Sequence, residues 1–292
     1  MENAEKAHTG EVGTVMSLWR YPVKSMRGEK VSTTQIKGQG LVGDRAYAVM
    51  DRLDGKIATA KNPRKWPNLF AFRATFIEEA EEDGQASSVS ITLPDGTMVT
   101  SEQQDLDHLL SKSLNREVTL VSAGKGLVAG DPSSSSPSWM ARSEEYWPDI
   151  DGREHRDTVT DFTLPSGTFF DAAMVHLVTT STLARLHELY PQGRFEIPRF
   201  RPNIVVKPVG TENGFVESDW IGRILAIGDE VRLQIIKPCG RCVMTTLAQN
   251  DLPKDPGILR TAVQYHQGRV GVYASVMRGG TIRRGDRVEL EA

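Results

Sequence analysis

Two cysteines in 292 residues are too few for a four-thiolate zinc site or a ferredoxin-type cluster. They favour free thiols in a reducing compartment over a structural disulfide. Long apolar runs are missing as well. Stretches such as Ile204-Val205-Val206 fall far short of the ~20 residues a membrane span needs, so no membrane association is expected. Charge of one sign is scarce: a net charge of -3 gives no general reason to expect nucleic acid as a partner. The stretch Met1-Glu2-Asn3-Ala4-Glu5-Lys6 lacks the character of a signal or transit peptide, and a cytoplasmic location is expected. Familiar catalytic signatures are absent too. No nucleophile elbow supports Ser-His-Asp hydrolysis. The spacing G-x-G-x-x-G at Gly38-Gln39-Gly40-Leu41-Val42-Gly43 runs into Asp44-Arg45 and a strand, where a dinucleotide site needs a helix.

What is present suits a folded globular chain: 39% hydrophobic and 25% charged residues can build one large core or two modest ones. Strand signals dominate. Thr14-Val15-Met16-Ser17-Leu18-Trp19 and Arg45-Ala46-Tyr47-Ala48-Val49-Met50 read as strands, and Val89 to Leu93, Pro94-Asp95-Gly96 and Thr97 to Thr100 predict a hairpin. Leu106, Leu109, Leu110 and Leu114 recur at helical spacing over Asp105 to Leu114. From Gly124 to Asp161 the chain turns Gly-, Ser- and Pro-rich, notably at Ser133 to Pro137, which predicts a long loop, linker or lid. Trp139, Tyr146 and Trp147 imply that part of it packs down. A strand at His176-Leu177-Val178 leads into a helix over Ser181 to Leu189, capped by Thr180 or Ser181. Ile224 to Leu233 is echoed by Thr281 to Leu290, each read as a hairpin turning at a Gly-Asp pair, Gly228-Asp229 and Gly285-Asp286. Paired hairpins of this kind point to a closed or nearly closed barrel. The expected class is mainly β (α+β).

The two cysteines stand together in Lys237-Pro238-Cys239-Gly240-Arg241-Cys242, directly after the alternating Val231-Arg232-Leu233-Gln234-Ile235-Ile236. Arg241 and Lys237 are expected to lower a thiol pKa there. Structural zinc would need further ligands, and the downstream His266 stands alone. A thioredoxin-like pair belongs at a strand-to-helix turn, whereas both flanks here read as β. Two small core residues at a strand end is the bland alternative. Three basic strand ends also stand out: Lys24-Ser25 after Tyr21-Pro22-Val23, Gly43-Asp44-Arg45, and Arg199-Phe200-Arg201-Pro202-Asn203. Each alone reads as a solvated turn; together they offer the forks and donors that grip a phosphate. Asp171 and His176 are candidates for a pair, although scattered acids and histidines are usually structural.

In this order the segments resemble the MOSC-domain family, with its amidoxime-reducing members and their bacterial counterparts nearest in pattern. Leu18 to Ser25 with Gly43-Asp44-Arg45 is similar to the MOSC N-terminal β-barrel module. Phe169 to Ala173, Phe200 to Val205 and Pro238 to Cys242 are similar to the MOSC domain itself. The resemblance runs from Val12 to Leu290 and is weakest around Ser133. It implies a β-barrel-like module over 11–123, a linker over 124–161, and a MOSC β-barrel with a few helices over 162–291.

It further implies a molybdenum–molybdopterin cofactor, whose metal falls on Cys242 as the catalytic ligand; a soft thiolate suits that metal. Lys24, Ser25, Arg45, Arg201 and Asn203 match positions that hold the pterin and its phosphate, and Ala172, Ala173, Gly240 and Arg241 match contacts nearby. Relatives can carry hydroxyl residues where Ala172-Ala173 stand, so contacts there fall to the backbone. The implied activity is reduction of small N-hydroxylated compounds, amidoximes and hydroxylamines among them. Its electrons come from an external partner: a cytochrome b5-like protein, a ferredoxin or a flavin reductase. Some relatives carry a fused ferredoxin domain or a membrane anchor, and neither is expected here. The alternative is a cofactor carrier or sulfuration module with a persulfide on Cys242. Pyridoxal phosphate is not expected, since the chain lacks room for a desulfurase domain.

Overall fold

Along Val231–Gly240, Val231, Leu233 and Ile235 are buried while Arg232 and Gln234 are only partly so. This is the period-two pattern of a strand with one face in a core. Seven strands with such faces close on one another. In ring order they are Gly10–Arg20, Ile204–Pro208, Val175–Thr179, Arg269–Arg278, Val231–Gly240, Ile224–Ile227 and Arg287–Leu290, which returns to Gly10–Arg20. The computed structural model describes residues 10–78, 87–123, 141–165, 168–210 and 213–291. Over these the protein is mainly β, with four α-helices and a closed barrel, as expected.

Inside the ring, Val15, Leu18, Leu177, Ile204, Leu225, Leu233, Val272 and Val288 pack as one core. Each such side chain contributes roughly 1.5–3 kcal/mol on burial. Among the ring's strand pairs only Val175–Thr179 and Ile204–Pro208 run parallel, and a parallel pair needs a crossover. Helices Thr180–Leu189 and Ile197–Phe200 supply it. The cap of the first helix is Thr179, one residue before the expected Thr180 or Ser181. Thr179 is still extended (φ -98°, ψ 155°), and its side chain accepts from Thr182 N, the geometry an N-cap requires.

The two Gly-Asp turns differ. At Gly228-Asp229 a true hairpin forms, with Ile227 opposite Val231. At Gly285-Asp286 the arms separate: Gly280–Arg283 pairs with Thr33–Lys37, and Arg287–Leu290 pairs with two strands of the ring. Turn chemistry sets a local bend, whereas the partner of each arm is set by which buried face it must fill.

The first third holds its own core. Tyr47–Asp51 pairs with Val118–Ser122, and Arg73–Phe76, Val89–Thr92 and Met98–Thr100 form a second small sheet. Helix Leu106–Leu114 buries Leu106, Leu110 and Leu114 against Phe70, Phe72, Ile91 and Val118. Met244, two residues after Cys242, packs into this same cluster, so the cysteine turn lies between the two cores.

Within the stretch expected as loop, Arg142–Trp147 and Thr158–Thr163 form a two-stranded ribbon over six residue pairs. Tyr146 and Trp147 lie in it, and Trp147 Nε1 donates to Thr160 Oγ1 at 2.8 Å. Trp139 and Ser133 to Pro137 lie outside the described residues. The β-forming run Thr158-Val159-Thr160 was masked by the turn residues before it. Among the described residues no helix is long and apolar enough to cross a membrane.

Candidate functional site

Strand Val231–Gly240 places Cys239 on the buried face it shares with Leu233 and Ile235, then releases Gly240, Arg241 and Cys242 at its end. Arg241 N donates to Gly268 O at 2.7 Å, holding the chain to the neighbouring strand. Cys242 is extended (φ -128°, ψ -174°) and precedes a 3-10 turn over Val243–Thr246. Its carbonyl accepts from Thr245 N at 3.2 Å and Thr245 Oγ1 at 3.0 Å.

The turn is tied from beneath by Arg199, which is fully buried. Its guanidinium donates to the carbonyls of Arg194 at 2.8 Å, Thr245 at 3.1 Å, Leu247 at 3.3 Å and Pro253 at 2.8 Å. The anion-gripping role open to Arg199 on sequence is therefore filled by main-chain carbonyls. Only Arg201 and Asn203 of that segment's polar side chains reach the site.

Cys239 and Cys242 are both free thiols, and they are electrostatically unequal. Burial pushes the Cys242 thiol up, Glu145 adds to this, and Lys61 and Arg241 offset only part, leaving it at about 11. Burial acts on Cys239 too, but Arg241, with Nη1 2.8 Å from the sulfur, outweighs it together with His176 and Tyr273, and brings that thiol down to about 6. Arg241 thus acts on both thiols as expected, but it prevails over burial only at Cys239. Lys237 stands instead over the Tyr273 ring, 5.9 Å from its centroid.

A cavity of about 100 Å³ adjoins Cys242, and eight of the expected residues line it: Arg45, Ala172, Ala173, Arg201, Asn203, Gly240, Arg241 and Cys242. Lys24 and Ser25 do not line it. Lys24 Nζ donates to Phe169 O at 2.9 Å and pairs with Asp171, which does. Ser25 adopts a left-handed φ of 63°, and its Oγ accepts from Ala60 N at 3.1 Å. Asn203 reaches the cavity with its amide engaged at both ends: Oδ1 accepts from His176 N at 3.1 Å, and Nδ2 donates to Asp44 Oδ2 at 2.9 Å. It braces the wall.

Arg45 and Arg201 lie over the buried Tyr21 ring at 5.0 Å and 4.1 Å. Arg45 pairs with Asp44, whereas Arg201 Nη1 donates to Met26 O at 2.6 Å. Burial, and then Arg45, bring the Arg201 guanidinium down to about 10, so it stays charged at neutral pH. Burying two guanidiniums side by side is costly unless an anion joins them. Arg241 Nη2 donates to Phe200 O at 2.8 Å, while its Nε is buried without a partner among the described residues. An orphaned buried donor of this kind calls for an acceptor from outside the chain.

Lys61, Glu145, His176 and Tyr273 also line the cavity and stood outside the expected set. Lys61 Nζ lies 3.2 Å from Glu145 and 3.4 Å from Asp171. Burial opposes its charge, but Asp171 first, then Cys242 and Glu145, outweigh it and hold the ammonium protonated. Asp171 is likewise held well below the usual carboxylate range, burial being outweighed by Lys24 and Lys61. Asp171 and His176 do not pair with each other: His176 Nε2 lies 3.2 Å from Val270 O. Lys61 is one of three cations in a turn, with Arg64 and Lys65, and Glu145 sits in the ribbon read as loop, so no pattern singled them out. Among the described residues no group of three or more His, Cys, Asp or Glu could hold a metal.

The MOSC domain profile matches residues 165–289, and the MOSC N-terminal beta barrel domain profile matches residues 12–132. The chain belongs to the MOSC family. This MOSC protein is 26% identical to mitochondrial amidoxime-reducing component 1 of Mus musculus over an alignment of 314 positions, which covers 96% of the chain and 83% of that relative. It is 27% identical to mitochondrial amidoxime reducing component 2 of Rattus norvegicus over 308 aligned positions, 95% of the chain and 83% of the relative. The two matched spans both contribute to the cavity, Arg45 and Lys61 from the first and Asp171, Arg201, Arg241 and Cys242 from the second. Glu145 falls between them.

Proposed function

We propose that this MOSC protein binds a molybdenum–molybdopterin cofactor through Cys242 and reduces N-hydroxylated compounds, amidoximes and hydroxylamines among them. The observation that carries the reading is a partly exposed thiol beside a cavity lined by three arginines. Among the described residues Arg201 and Arg241 make hydrogen bonds there only to main-chain carbonyls and the Cys239 sulfur. That donor set fits an anionic group held by one sulfur: Arg45, Arg201 and Arg241 would grip phosphate and pterin, and Cys242 would be the metal ligand. A Cβ on Gly240 would meet nothing within 4 Å, which leaves room for a ligand to approach the backbone. Lys24, Ser25 and Asn203 serve by holding Asp171, Ala60 and Asp44 in place.

When bound, the cofactor supplies two-electron chemistry at a metal. Overall, the substrate N–O bond breaks with uptake of two electrons and two protons, and the oxygen leaves as water. Lys61 holds a proton within the cavity. The electrons come from an external donor, a cytochrome b5-like protein, a ferredoxin or a flavin reductase, and the reaction is placed in the cytoplasm. The substrate class is supported by the names of the two relatives, both amidoxime-reducing components.

Metal and pterin analysis of protein from a cofactor-competent host tests the reading. Molybdenum near one equivalent, lost in Cys242→Ala, together with benzamidoxime reduction by reduced methyl viologen, is expected. Folded protein free of molybdenum would refute it; bound molybdenum without turnover of N-hydroxylated substrates would favour the carrier or sulfuration role.

A further inference from the structure

Glu145 plays no part in holding an anionic cofactor, and its position works against one. Its largely buried carboxylate lines the cavity, close enough to Cys242 to disfavour the thiolate. Glu144, the adjacent ribbon residue, is fully engaged by Lys56 at 2.7 Å and Asn62 at 3.0 Å. Among the described residues Glu145 has a single partner, Lys61, whose Nζ donates to Oε2 at 3.2 Å. That ammonium is shared with Asp171, which also has Lys24. Among the described residues no hydrogen bond takes Glu145 Oε1. An acceptor oxygen left open on the cavity wall, beside a counter-charge that is shared, suits a cationic or donor-rich ligand group. Arg45 and Arg201 gather around Tyr21 and Asp44, while Glu145 gathers with Lys61, so one cavity offers separate places to an anion and to a cation.

We propose that Glu145 is a specificity-determining residue that accepts an N–H from the amino group of an N-hydroxyamidine or N-hydroxyguanidine, and the N–C–N fork of the amidinium or guanidinium product through two parallel N–H···O bonds. The proposal rests on the reductase reading for its substrate, and its test is separable from that reading. In the cofactor-loaded full chain with reduced methyl viologen as donor, Glu145→Gln is expected to lower the kcat/KM ratio of benzamidoxime over phenylhydroxylamine about tenfold, through KM. Phenylhydroxylamine lacks the second nitrogen. Calorimetric titration with benzamidine, the cationic product of benzamidoxime reduction, is expected to show about tenfold weaker binding to Glu145→Gln, with Glu145→Asp between. An unmoved substrate ratio, or a benzamidine affinity that Glu145→Gln leaves within about twofold, overturns the assignment. Absence of turnover with both substrates counts against the reductase reading alone, and the benzamidine titration then decides the role of Glu145.

Discussion

Replacing Arg199 with Met should cost this protein much of its stability and loosen the turn that presents Cys242. The guanidinium is fully buried, and it satisfies four carbonyls, those of Arg194, Thr245, Leu247 and Pro253, at 2.8 to 3.3 Å. Each hydrogen bond is worth about 1 kcal/mol net, so losing all four removes about 4 kcal/mol. That is a large share of a total that is typically about 5–15 kcal/mol. Methionine fills most of the volume, which confines the loss to the polar contacts. Lysine keeps the charge but reaches one or two of the four acceptors, so Arg199→Lys should lose about half as much. Equilibrium urea denaturation, followed by tryptophan fluorescence, measures both variants. Because Thr245 and Leu247 lie three and five residues past Cys242, bound molybdenum should fall in Arg199→Met even where the protein remains folded. A loss under about 1 kcal/mol in Arg199→Met, or equal losses in the two variants, would refute the claim that a four-carbonyl clamp holds the turn.

Three further outcomes are expected. Glu217 is buried, with Oε2 accepting from the Thr179 and Thr182 hydroxyls at 2.6 Å each and Oε1 without a partner among the described residues. Burial raises its carboxyl. A raised carboxyl binds its proton more tightly when folded, so stability falls as pH rises above the ordinary carboxylate value of about 4.3. Glu217→Gln should therefore gain on wild type between acid and neutral pH in urea denaturation, and a constant gap would exclude Glu217 as the cause. Asp171 is the opposite case: burial opposes its charge, but Lys24 and Lys61 depress its carboxyl. Its contribution is complete above about pH 4 and fades as pH falls through the lower folded value. The stability gap between wild type and Asp171→Asn should thus be widest near neutrality and narrow in acid, and a pH-independent gap would contradict the ion pairs. Gly271 has φ 79°, and a Cβ there would sit 2.4 Å from Leu177 O and 2.5 Å from His176 Nε2. Gly271→Ala should lose about 2–4 kcal/mol in thermal or urea unfolding; a near-neutral effect would mean that the strand shifts to accommodate the methyl.

The barrel was legible where alternation was strong. Val231 to Ile235 shows which face turns inward, and a Gly-Asp pair joins it to the uniformly apolar Ile224 to Ile227 as a hairpin. The same pair at Gly285-Asp286 misled, because the pairing of Arg287–Leu290 with Gly10–Arg20 depends on residues far away in the chain. In the site, Arg45, Arg201, Arg241 and Cys242 were found because they stand at strand ends beside residues with a recognisable pattern. Arg199, two positions from Arg201, could not be told from it by type; only the carbonyls around it reveal its use. Lys61 and Glu145 had no periodic neighbours to mark them. The unequal charge states of Cys239 and Cys242 also escaped sequence reasoning, since they turn on which sulfur Arg241 reaches.

The strand Gly10–Arg20 takes its place between Ile204–Pro208 and Arg287–Leu290, so the first stave to leave the ribosome is among the last to be seated. At ordinary elongation rates, that interval is on the order of tens of seconds. Through it Val15 and Leu18 lack their core, and most of the strand lacks its ladder, Leu18 to Arg20 alone pairing early with Glu29–Val31, which makes the segment a template for wrong partners. A nascent chain of this protein should therefore depend on holdase chaperones until its C-terminal strands emerge. The same arrangement makes the barrel a natural split reporter. Two separately expressed pieces, divided between Ser122 and Arg142, could close the barrel only by finding each other, because the first holds one of the seven staves, Gly10–Arg20, and the second holds the other six.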